Sequence, residues 1–138
     1  MANILKICSS FVFALSILVL FSMTAAIAQE SLLDGKIFVG QSRERHIREV
    51  NDDELKFMKG EFYSSFYGQR GFIEGVYTAS AEADKIYFEA ETVNPKQGKI
   101  MWRGIVRGDS IEVNYRWRKK GWFSNTEIEY LFNGELKK

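Results

Sequence analysis

Few side chains in this sequence are grouped in a way that supports catalysis. The single histidine, His46, stands in a charged segment beside Arg43, Glu44, Arg45, Arg48 and Glu49. One histidine cannot make a multi-histidine metal site, and its place in this charged segment does not support a triad, so both are set aside. A solvated surface histidine is the expectation. Asp52-Asp53-Glu54 offers consecutive carboxylates but lacks the alternating ligands of a calcium loop, and is expected to open a strand after a turn. No catalytic residue, no metal and no cofactor is assigned, and the chain is not read as an enzyme.

Four further groups hold possible binding chemistry. Glu89 and Glu91 have the spacing of paired carboxylates, but the strand register places both outside the fold. Glu74 is different. In the run 72–79 either Ile73/Gly75/Tyr77 or Phe72/Glu74/Val76/Thr78 face inward. The first register is preferred; in the second, Glu74 enters the interior and needs a partner there, a ligand cation or an arginine or tyrosine of the protein. The aromatics Phe88, Trp102, Tyr115 and Trp117 share one face and suit an apolar pocket equally with a solid core. Trp122 and Phe123 sit in a turn between strands, where they cap a barrel mouth or present a contact patch, the cap being preferred.

These residues are positioned by strands. Period-2 runs are predicted near 36–41, 53–59, 61–67, 72–79, 85–93, 98–107, 110–118 and 126–136, with short Gly, Asn or Asp breaks between them. Residues 42–50 read equally as a charged edge strand, a loop, or one or two helical turns with Glu44/Arg48 and Arg45/Glu49 pairs. Gly108-Asp109 suits a two-residue turn. It sets Val106 opposite Ile111, Gly104 opposite Val113, Trp102 opposite Tyr115 and Ile100 opposite Trp117. Lys59-Gly60 likewise sets Phe57 opposite Phe62 and Leu55 opposite Ser64. A loop over 93–97 is expected to place Ala90 opposite Ile100, Phe88 opposite Trp102 and Ile86 opposite Gly104, with Glu91 facing Lys99. Each hairpin then has one wet and one apolar face, and a one-residue slip would mix them.

An antiparallel meander of about eight strands with one continuous apolar face is expected to close into a small up-and-down barrel, which also removes its edges. A β-sandwich is the alternative. The layout over residues 34–137 resembles the lipocalin-like, or calycin-like, barrels. Leu33-Asp34-Gly35-Lys36-Ile37-Phe38, Gly71-Phe72-Ile73-Glu74-Gly75 and Lys119-Lys120-Gly121-Trp122-Phe123 resemble small exported β-barrel proteins of unassigned function. The Gly-x-Trp of lipocalins is absent, because Gly35 is followed by Lys36 and Ile37.

Residues 1–28 read as a cleavable signal peptide. Lys6 supplies the positive start, 7–28 carry no charge, and Ala26-Ile27-Ala28 precedes an abrupt polar switch at Gln29-Glu30. The expected product is a single domain over 29–138, exported to the periplasm or secreted, with no stable membrane anchor after cleavage. Cys8, the only cysteine, leaves with the signal, so neither disulfide nor thiol chemistry is expected. The remaining 18 basic and 18 acidic side chains balance. That argues against nucleic acid or an anionic membrane as the main partner. Basic residues interleave with Trp102, Tyr115 and Trp117 as they do in single-strand binders, but the register puts charges and rings on opposite faces. The expected function is an exported β-barrel binding a small apolar ligand in its interior, lined by Phe88, Trp102, Tyr115 and Trp117, with Glu74, Trp122 and Phe123 as further candidates. The alternative is a cell-envelope protein-interaction or structural module without a ligand.

Overall fold

The computed structural model describes residues 32–138. The expected signal peptide and its cleavage point lie outside the described residues. Eight strands follow one another in chain order: β1 (Ile37–Glu44), β2 (Val50–Met58), β3 (Glu61–Ser64), β4 (Gly75–Glu82), β5 (Lys85–Asn94), β6 (Gly98–Arg107), β7 (Ser110–Lys120) and β8 (Asn125–Leu136). All neighbours are antiparallel, and β8 returns to pair with β1, closing the barrel. A short helix, α1 (Ser65–Gly68), follows β3.

Side-chain alternation decides which face closes inward. On β6, Ile100, Trp102, Gly104 and Val106 are buried while Met101, Arg103 and Arg107 are exposed. The β6–β7 register matches the sequence expectation pair for pair: Val106↔Ile111, Gly104↔Val113, Trp102↔Tyr115 and Ile100↔Trp117. The β2–β3 turn also stands as expected, with Phe57↔Phe62 and Leu55↔Ser64. Lys59 (φ 50°) and Gly60 (φ 76°) both take the left-handed conformation there, as a type I′ turn requires.

Two expectations need correction, and one open alternative is decided. The β5–β6 register is displaced by two residues: Thr92 faces Ile100, Ala90 faces Trp102, Phe88 faces Gly104 and Ile86 faces Val106. The side chain of Asn94 causes this, because its Oδ1 accepts from the backbone N–H of Lys96 (2.8 Å) and Gln97 (3.1 Å) and starts the turn early. Inward and outward faces survive, since a shift of two preserves parity. Glu91 therefore faces Met101 rather than Lys99. Second, 65–68 is helical rather than strand, and β4 begins only at Gly75. For segment 42–50 the strand and loop alternatives hold and the helical one does not: β1 continues through Glu44, β2 starts at Val50, and Arg45 pairs with Glu129 at 2.6 Å rather than Glu49.

Packed rings fill the interior. Phe57 touches Phe38, Phe62, Tyr77 and Phe88 at centroid distances of 4.9–6.2 Å, mostly edge to face. Phe62 continues to Trp102 (4.9 Å), which stacks on Tyr115 (4.3 Å), which stacks on Tyr130 (5.0 Å). Such contacts add to the hydrophobic gain of burying large rings. Gly104 makes room in this file, because a Cβ there would collide with the Phe88 ring. Leu33, fully buried, plugs the end opposite α1. Asp34 Oδ1 accepts there from Tyr77 Oη (2.7 Å) and from the Gly60 N–H (3.0 Å).

Candidate functional site

In a meander, alternate loops share one end. The loops 45–49, 65–74, 95–97 and 121–124 therefore surround the mouth that α1 partly covers. The barrel wall is thinnest at this end. Only Glu61↔Val76 and Phe62↔Gly75 join β3 to β4, and above them the segment 65–74 leaves the sheet. Ser64 caps α1, its Oγ accepting from the Tyr67 N–H (3.2 Å). That turn directs Tyr67 into the barrel, against Phe72, Trp102 and Tyr115.

A buried carboxylate holds α1 in place. Asp53 is 4% exposed. Its Oδ2 accepts from Ser64 Oγ at 2.6 Å; its Oδ1 accepts from Ser65 Oγ (3.2 Å) and from the N–H groups of Phe66 (3.0 Å) and Glu54 (2.7 Å). Burial pushes its pKa above the usual carboxylate value, against the pull of those hydrogen bonds. Tyr67 Oη and Tyr115 Oη lie 3.1 Å apart beside it. Burial raises the Tyr67, Tyr115 and Tyr130 phenols, Tyr115 to about 12, so they act as neutral hydrogen-bonding groups rather than acids. With Ser42 and Ser64, also buried, this makes a polar layer between the aromatic core and the mouth.

Above that layer lies an open groove of about 530 Å³, lined by Asn51, Phe66, Tyr67, Arg70, Phe72, Gln97, Trp117 and Tyr130. Trp117 is half-buried and fixed by an Nε1–H bond to the Gln97 carbonyl (2.6 Å). The Arg70 guanidinium sits 3.5 Å above the Phe66 ring, and its Nη1 donates to the Phe66 carbonyl (2.7 Å). Arg70 has no carboxylate partner among the described residues. The groove thus offers aromatic walls and one oriented cation. No protein-family model, no curated protein and no solved structure matches the chain. Its chemistry has to be read from its own side chains.

The site residues named from sequence divide into three sets. Trp102, Tyr115 and Phe88 are at most 2% exposed and packed against other rings. Trp102 Nε1–H donates to Thr92 Oγ1 at 2.9 Å. Trp117 alone of the set reaches the groove. Glu74 is exposed and lies outside the barrel, so neither inward register holds for the whole run. Phe72 turns in against Tyr67 and Tyr77 turns in as part of β4, while Ile73 and Glu74 between them both face out, Ile73 bridging to Val93. Trp122 and Phe123 are 99% and 103% exposed, so they do not cap the mouth. The last β6–β7 pair is Lys99↔Arg118, whereas β7–β8 pairing runs on through Lys119↔Thr126 and Lys120↔Asn125. This hairpin carries its turn past the rim.

Sequence reasoning missed Tyr67, Arg70 and Tyr130, and weighed Asp53 only within Asp52-Asp53-Glu54, setting it aside as the opening of a strand. Asp53 had a signal, because it is in phase with Leu55 and Phe57 on β2 and so shares their inward face. On the outer wall the arginines are matched by carboxylates: Arg103 to Glu89 (3.2 Å), Arg116 to Glu129 (2.8 Å), Arg118 to Glu127 (3.2 Å). Arg45 and Arg116 together hold the Glu129 carboxyl below its usual range. Most of this neutralisation comes from β8, and of these carboxylates only Glu89 lies on β5.

Proposed function

We propose that this chain is an exported, lipocalin-like β-barrel that binds a small, largely apolar molecule at its mouth. The carrying observation is the aromatic groove with Arg70 at its edge. A planar apolar body suits Phe66, Tyr67, Trp117 and Tyr130, and a single negative group on it suits the guanidinium. The closed eight-strand meander supports the lipocalin-like comparison in shape. The packed core moves the ligand outward from the interior to the groove, with Tyr67 as its floor. Export through a signal cleaved near Ala28/Gln29, to the periplasm or beyond, is part of the same proposal and rests on residues 1–28.

Titration with the apolar anion anilinonaphthalene sulfonate, followed by tryptophan quenching and probe emission, tests the groove. Binding is expected to fall at least tenfold in Arg70→Ala and in Trp117→Phe, and to be unchanged in Trp122→Ala. Equal affinity in all four proteins would refute it. Native mass spectrometry of protein from its own host should show a co-purified small molecule. The second reading, an envelope interaction module without a ligand, is favoured by the full exposure of Trp122 and Phe123. It expects no co-purified mass and loss of the partner on Trp122→Ala.

A further inference from the structure

We propose that the loop end of the barrel docks reversibly on an anionic phospholipid bilayer, with Trp122 and Phe123 inserted at the headgroup level. Three of the four loops at this end present an exposed large apolar side chain: Ile47, Ile73, and the Trp122-Phe123 pair, whose rings touch almost nothing. They come from separate hairpins yet lie at one end, an arrangement that suits a broad, soft surface. Trp is the residue that settles at a membrane–water interface, its ring amphipathic and its N–H free to meet headgroups.

Charge at this end favours an anionic surface. The loops and the pair leading into the last of them carry Arg48, Arg70, Lys96, Lys119 and Lys120 against Glu49 and Glu74, while Arg45 is paired with Glu129. The opposite end carries a smaller excess, the four lysines Lys36, Lys59, Lys137 and Lys138 against the three aspartates Asp34, Asp84 and Asp109. The near-neutral total therefore averages over a polarised molecule, which is why net charge alone pointed away from membranes. A protein partner fits less well. Buried centres of protein interfaces are depleted in lysine, whereas Lys119 and Lys120 stand directly beside the aromatic tip. Lysine stems reach along apolar surface while their ammonium groups stay with lipid phosphates. Each such charge near an anionic leaflet contributes about fivefold in affinity.

The test uses the processed protein recovered from exporting cells, its N-terminus checked by mass. Sedimentation with vesicles of phosphatidylcholine alone, or mixed with phosphatidylglycerol, reads the partition, and tryptophan emission reads insertion. Wild type is expected to bind the anionic vesicles, with a blue shift, and to leave them as salt is raised. W122A/F123A should lose the blue shift and bind at least tenfold more weakly, and K119E/K120E should lose more than tenfold in partition. Both should keep the near-ultraviolet dichroism of the folded barrel, because all four side chains lie at or beyond the rim. Binding independent of lipid charge, or unaffected by W122A/F123A, would overturn the proposal. Indifference to both vesicle types would also overturn it, leaving the tip to a protein partner. Anilinonaphthalene sulfonate binding in the groove is read separately, so failure of one proposal does not imply failure of the other.

Discussion

Removal of the Asp53 carboxylate measures how firmly α1 and Tyr67 are held over the core. In Asp53→Ala the Phe66 N–H loses its acceptor and the Ser64 hydroxyl proton loses its partner. The Glu54 N–H keeps Ser65 Oγ at 3.1 Å, so it is not orphaned. The part-buried Ser65 hydroxyl loses its acceptor too; a fully buried donor left without a partner costs about 1–3 kcal/mol and a part-buried one less, offset in part by no longer burying a charge. The expected loss is about 2–4 kcal/mol in urea unfolding. Asp53→Asn keeps an acceptor for the two N–H groups and should lose about 1 kcal/mol or less. The pH dependence carries the sharper test. Burial raises the folded pKa above the ordinary 3.8, so between those two values the native state binds more protons than the unfolded chain. This group's contribution therefore falls as pH rises through that window and is level below 3.8. Wild type should gain on Asp53→Asn as pH is lowered toward 3.8, since the remaining groups cancel in the difference. A gain in the opposite direction would mean that the four hydrogen bonds outweigh burial, and the account of this site would be wrong.

Other expectations are simpler. Gly104→Ala drives a methyl into the Phe88 ring and should destabilise the barrel by about 1–3 kcal/mol in thermal or urea melts. Thr92→Val leaves the buried Trp102 indole N–H without its acceptor, with an expected loss of about 1–3 kcal/mol and altered tryptophan emission. Asn94→Ala frees the Lys96 and Gln97 N–H groups and should speed amide exchange in the β5–β6 turn, with a loss of about 1–2 kcal/mol. Ala83 holds φ 55° in the β4–β5 turn, so Ala83→Gly should stabilise by about 0.5–1 kcal/mol if its local strain is as that angle implies.

The barrel was legible in the sequence wherever pairing is local and alternation strict. Gly108-Asp109 and Lys59-Gly60 each set a register without outside help, and closure followed from one continuous apolar face. The β5–β6 displacement was hidden because a two-residue shift leaves the inward set unchanged; only the Asn94 side chain distinguishes the alternatives. The segment 62–67 also alternates as a strand would. From Ser65 on it becomes a helical turn through Asp53, a contact across β2 and β3 that periodicity does not report. The mouth was missed for the same reason, since Tyr67, Arg70 and Phe72 all depend on that turn. Trp122 and Phe123 were set over the opening, because the reach of the β7–β8 hairpin depends on how far pairing continues beyond the rim.

The seam between β1 and β8 has a consequence for how the barrel forms. Most pairings join neighbours along the chain, but the seam brings Phe38 to Leu136. Local hairpins close quickly, whereas a contact of such sequence separation must first overcome the entropy of the whole intervening loop. Until residues 125–136 are available, β1 and β7 both stand as open edges beside a sheet rich in aromatics. The last strand is thus a latch, and a chain shortened before it should collect in aggregates rather than as a smaller barrel.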